Sequence, residues 1–178
     1  GPCAWSRGQH LVAHATNRGY VHSMRANSQT EELRRAVQQL IRCMGLLQVR
    51  QTPCGQPLSA PQAHTLVFLA NRPNQEEPPT QLVLVDYLRL NKSTVTRLLQ
   101  QLKRRGFVRI EHCTSDRRAK RVHLTEQGRH MAASVDRTSL ELFGQVLSII
   151  PAEDREGVIH ALEQFTGAIQ ERQLGESE

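Results

Sequence analysis

The sequence predicts a mainly α-helical fold with one small β-hairpin, from three observations. Six segments carry helical apolar spacing or helix-capping signals. One short stretch after Gly106 changes to a period of two, the strand pattern. Basic charge gathers around that change: residues 91 to 129 hold eleven Lys/Arg against three Asp/Glu, a net of +8. The whole chain carries +6, so the remainder is slightly acidic at −2. A basic centre on such a chain is the electrostatic footprint of a surface that binds a polyanion.

The chain has 178 residues, is 38% hydrophobic, and contains no run of 18 apolar residues. Those values predict one soluble domain, or a domain plus appendages, and no membrane span. The N-terminus lacks the apolar segment of a signal peptide, which predicts a cytoplasmic location. Aromatic residues make up only 4%, so the core must be built from Leu, Val and Ile.

Residues 1–27 hold no acid, three Arg and scattered Gly, with no apolar period. They read as a poorly ordered tail, or as a segment partly of cloning origin with a natural start near Met24. His10 and His14 in this segment are spaced i,i+4, but two ligands fall short of a metal site, and no metal is expected. From Ser28, Leu33, Val37, Leu40, Met44 and Leu47 share one helical face until Pro53 and Gly55 break it. A second helix opens at the N-cap residue Ser59 and stops at Pro73. "NRPNQEEPP" is a loop, and Thr80 to Leu90 form a short third helix.

The fourth helix, in "NKSTVTRLLQQLKRRG", is the most informative. Val95, Leu98, Leu99 and Leu102 fall at i, i+3, i+4 and i+7, Asn91 caps the start, and Gly106 suits a left-handed residue after the end. Its other face, with Lys92, Ser93, Thr94, Thr96, Arg97, Gln100 and Gln101, contains no acid. A solvated face ordinarily mixes Glu with Lys; hydroxyls, amides and cations instead suit phosphates and base edges. "FVRIEH" and "KRVHLT" then alternate, with Val108 and Ile110 facing Val122 and Leu124, joined by the basic loop "CTSDRRA". Thr125 caps a long helix that ends before Pro151, and a last helix carries Val158, Leu162 and Phe165.

A short helix, a tight turn, a cation-rich helix and a basic hairpin make a winged helix-turn-helix. The second helix of such a pair fits the DNA major groove, and a wing carrying Arg117, Arg118 and Lys120 reaches phosphates or the minor groove. Double-stranded DNA is therefore the expected partner, contacted by Lys92, Ser93, Thr94, Thr96, Arg97 and Gln101 together with the wing cations.

"LRLNKSTVTRLLQQLKRRGFVRI" and "DRRAKRVHLTEQG" resemble the MarR family of bacterial transcriptional regulators, over about residues 28 to 172. The resemblance implies one domain over 28–178, with a winged part at 59–125 and long dimerisation helices at 28–52 and 126–172. It implies a homodimer on a pseudo-palindromic operator, with Ser93, Thr94, Thr96 and Arg97 facing the major groove. It also implies that Asp116 braces the wing through an Arg pair and that Arg118 or Arg117 enters the minor groove. The function implied is repression, released by a small anionic aromatic ligand or by cysteine oxidation. Leu82, Val83 and Val85 depart from the family pattern in helix three; they either line a more apolar pocket or, the favoured reading, pack differently into the core.

Cys3, Cys43, Cys54 and Cys113 form no CxxC pair, so free thiols are expected. Cys54, flanked by Pro53 and Gly55, is expected to be accessible, with Arg50 lowering its pKa. Cys43 lies on an apolar stretch, where a small core residue is the simpler reading. Cys54 and Cys43 are thus the redox candidates, while Arg50 and Arg72 are the candidate partners of an anionic ligand. No catalytic triad, phosphate loop or paired carboxylate motif is present, so neither an enzyme nor a cofactor is expected. Two other readings stay open: a winged helix that binds protein, and a DNA-binding activator or architectural protein.

Overall fold

The computed structural model describes residues 13–47, 50–73, 77–112 and 119–175, with side chains from residue 28 onward. The chain divides into two units between residues 48 and 49. The first contains α1 (Ala13–Cys43). This helix begins well before Ser28, so residues 13–27 are helical rather than an irregular tail. They lack an apolar stripe, but they contain no Pro and are supplied with Ala, Arg and Met, good helix formers. The helix also stops earlier than Pro53. At its end Gly45 N donates to Arg42 O (3.0 Å) and Leu46 N to Ile41 O (3.1 Å), which closes the last turn.

The second unit follows the expected order. It comprises α2 (Ala60–Ala70), α3 (Gln81–Leu88), α4 (Lys92–Arg104), β1 (Val108–His112), β2 (Lys120–Leu124), α5 (Glu126–Ile149), a 3-10 turn (Ala152–Asp154) and α6 (Arg155–Gly175). The strands pair antiparallel with Val108 opposite Leu124 and Ile110 opposite Val122, which puts the apolar residues of both on one side. Leu58, Leu66, Leu84, Val95, Leu99, Leu102 and Val122 are almost fully buried and form the centre of the core. The low aromatic content is thus matched by an aliphatic interior, to which Phe107 adds a ring.

Helix α3 corrects one expectation. Leu82 and Val83 do not repack the core: Leu82 is 61% exposed and Val83 39%. An eight-residue helix turns only one narrow face inwards, and Leu84 fills it, with Val85 and Leu88 packed at its margin. Among the described helices, none is long and apolar enough to cross a membrane.

Candidate nucleic-acid interface

Helix α4 is built to hold one face in and one face out. The Asn91 carboxamide oxygen accepts from Thr94 N (2.8 Å) and from the Ser93 hydroxyl (2.8 Å), which satisfies the first turn. Val95, Leu98, Leu99 and Leu102 are buried. At the far end Gly106 has φ 76°, and Phe107 N reaches back to Leu102 O (3.0 Å). A Cβ at Gly106 would also stand 2.8 Å from the Gln127 side-chain oxygen.

Neighbouring elements fix the helix further. Arg105 donates to Pro57 O (2.9 Å) and lies over the Phe107 ring at 4.8 Å. The Thr125 hydroxyl donates to Gly106 O (2.6 Å) and accepts from Gly128 N (3.0 Å), so one residue caps α5 and ties it to the end of α4. Gly128 is buried because α5 starts against the hairpin; a Cβ there would lie 2.0 Å from Phe107 O.

Of the α4 candidates, Lys92, Ser93 and Arg97 are exposed, as are Gln100, Lys103 and Arg104. Thr94 is half-buried. Thr96 is half-buried and turned towards α3: its hydroxyl donates to Lys92 O (2.7 Å) and accepts from Gln81 Nε2 (2.6 Å). Gln101 keeps an exposed position, yet its side-chain oxygen accepts from the buried Gln62 (2.8 Å). The sequence pattern located these two residues on the polar face but not the partners that hold them. Gln62 also caps α2 by accepting from Ser59 N (3.1 Å).

In the hairpin, Glu111 lies 3.2 Å from both Arg109 Nη1 and His123 Nε2. Lys120 stands opposite His112 at the outer end of the ladder. Asp116, Arg117, Arg118 and Cys113 lie outside the described residues, as do Cys3 and His10.

One positioning device escaped the sequence reading. The loop before α3 is clasped onto β2. Arg121 pairs with Glu77 and donates to Pro78 O (3.0 Å), Val122 N donates to Pro79 O (3.0 Å), and Thr80 bridges Arg121. The available signal was the pair Pro78–Pro79, whose carbonyls still accept although their nitrogens cannot donate.

The thiols differ from expectation. Cys43 is exposed and Cys54 only half-buried, the reverse of the order expected. Burial raises the Cys54 pKa, but hydrogen bonds from Thr138 and Thr52 and from the backbone of Gln56 and Cys54 outweigh it, so the net shift is downward. The Thr52 hydroxyl is 3.2 Å from Cys54 Sγ. Hydroxyls and backbone therefore perturb the thiol, not Arg50, which is exposed. Arg72 is half-buried, with its guanidinium 5.6 Å from the centre of the Phe68 ring. Among the described residues, no three His, Cys, Asp or Glu side chains gather to hold a metal ion.

Comparison with known proteins agrees with this geometry. Residues 56–119 match the family model described as MarR family. A MarR transcriptional regulator from Methanosarcina mazei Go1 is 26% identical with TM-score 0.61, over 79% of this chain and 98% of that one. MepR from Staphylococcus aureus, in a complex with DNA, is 19% identical with TM-score 0.56, over 84% of this chain and 96% of that one. The heme sensor PefR from Streptococcus agalactiae, bound to heme, is 18% identical with TM-score 0.51, over 80% and 89%.

Proposed function

We propose, from the match of residues 56–119 to the family model described as MarR family, that the protein is a non-catalytic, sequence-specific regulator of transcription. It works in the cytoplasm as a homodimer on double-stranded DNA and represses until a small ligand or oxidation of Cys54 releases it. The observation that carries this reading is the acid-free outer face of α4, on which Lys92, Ser93, Arg97, Gln100, Lys103 and Arg104 stand out from a buried aliphatic stripe. Phosphate charge attracts such a face, and the groove edge can be read from it. The DNA-bound state of the similarly folded MepR supports the same use of the fold.

Ser93 and Arg97 are the residues assigned to base edges, and Lys92 with the wing cations Arg117, Arg118 and Lys120 to the backbone. Thr96, engaged by Gln81, positions α4 against α3 in this reading. Recovery of genomic DNA bound to the protein identifies the operator. On that operator Arg97→Ala weakens specific binding by about 1–3 kcal/mol while random DNA is bound nearly as before. Equal losses on both would assign Arg97 to phosphate alone. A protein with no salt-dependent affinity for any recovered DNA would not be a DNA-binding regulator.

A further inference from the structure

We infer, resting on the reading of α4 as the DNA face, that Gln62 is a positioning residue. Buried in the first turn of α2, it decides which way the Gln101 carboxamide points. It thereby makes Gln101 a hydrogen-bond donor towards a base edge in the major groove.

Gln62 is only 7% exposed, and a buried amide is tolerated when its polar atoms are bonded. Its Oε1 accepts from Ser59 N (3.1 Å), and its Nε2 donates to Gln101 Oε1 (2.8 Å). The two ends of a carboxamide have nearly the same shape, so partners decide its orientation. Ser59 N belongs to the backbone and can only donate. It fixes the Gln62 oxygen on its own side and the Gln62 nitrogen on the other. That nitrogen can only donate, so Gln101 must meet it with oxygen. The direction of one backbone N–H is thus passed through two side chains to the protein surface.

Gln101 follows Ser93 and Arg97 on α4 at spacings of four residues, and it is exposed despite its bond to Gln62. With the oxygen turned inwards, the amide nitrogen is the group it offers outwards. That donor suits guanine N7 and O6 or thymine O4. The common pairing of glutamine with adenine needs the amide oxygen to accept from N6 while the nitrogen donates to N7. Gln62 holds the oxygen here, which disfavours adenine. Thr96, on the α3 flank of the same helix, differs, because its hydroxyl hydrogen is taken by Lys92 O (2.7 Å).

The test is selection of binding sites from a random-sequence duplex library, read by sequencing, with thermal melts of each variant to confirm folding. Gln62→Glu keeps an acceptor for Ser59 N, as in a capping box, but has no amide hydrogen to give. Gln101 must then turn its nitrogen inwards and its oxygen outwards. Preference at one position of each half-site should switch from guanine or thymine to cytosine or adenine, by about fivefold. Gln62→Met has no donor and should level that position to within about twofold; it decides the matter if Gln62→Glu does not fold. Gln101→Ala should level it as well, and adding Gln62→Glu to Gln101→Ala should change no preference. Three results would overturn the inference: an unaltered preference in the folded Gln62 variants, a uniform loss on all sequences, which places Gln101 on phosphate, or a switch that persists without Gln101. If wild type selects an operator and any of these follows, the DNA reading stands and this inference alone fails. If wild type selects no sequence, both fail.

Discussion

Gly128 shows how strictly a single position can be specified. Its missing Cβ lets the first turn of α5 lie on the Phe107 carbonyl, where an added carbon would meet the oxygen at 2.0 Å and the Leu124 side chain at 2.8 Å. Backbone oxygen cannot step aside as a flexible side chain can. Gly128→Ala should therefore cost about 2–3 kcal/mol and lower Tm by roughly 5–10 °C in a chain of this size. A melting curve matching wild type would show that α5 shifts freely. Cys54 is specified more subtly. Its thiol is pulled towards the thiolate by hydroxyls, so alkylation by iodoacetamide should have a pH midpoint below that of an ordinary cysteine. Thr138→Val should move that midpoint up, and Arg50→Gln should not move it. A midpoint that follows Arg50 instead would restore the charge-based explanation drawn from sequence.

The hairpin depends at the scale of elements on a contact from outside itself. An isolated two-stranded ribbon is marginal in water. Here the segment 77–80 adds a partial third rung through Arg121, Val122 and the two proline carbonyls. Arg121→Ala removes the side-chain part of the clasp, at a cost of about 1 kcal/mol, since its partner Glu77 is 81% exposed and the pair is solvent-screened. The sharper readout is local: the Val122 amide, bonded to Pro79 O, should exchange with solvent faster while that of Val95 in α4 is unchanged. Equal protection in mutant and wild type would mean the backbone bonds hold the loop unaided.

For the whole molecule, the question is what covers α5 and α6. The second half of α5 exposes Leu140, Phe143, Val146 and Ile149, and α6 buries no residue while exposing Val158, Ile159, Leu162 and Ile169. Helices with apolar stripes of this length need a partner, and a second copy of the chain is the partner proposed. Light scattering at micromolar concentration should give a dimer, and Phe143→Asp together with Leu162→Glu should give a monomer that still melts cooperatively. A wild-type monomer would dismiss the assembly. A dimer implies operator half-sites about 10 bp apart, one turn of DNA.

The sequence alone determined the order and type of the elements of the second unit. The reason is that its signals are local: the stripe of Val95, Leu98, Leu99 and Leu102, the caps Asn91 and Thr125, the left-handed Gly106, and the alternation around Val108 and Val122 each act within a few residues. It also placed the acid-free face of α4, because charge is read directly from residue identity. Helix α1 was only half legible, since residues 13–27 are helical by propensity without a stripe to announce it. What the tertiary structure decided lies between segments distant in sequence. It turned Thr96 towards Gln81 and Gln101 towards Gln62, left Leu82 and Val83 in solvent, and surrounded Cys54 with hydroxyls. Periodicity tells which face of an element is apolar; only packing decides which neighbour meets that face, and therefore which polar groups meet each other.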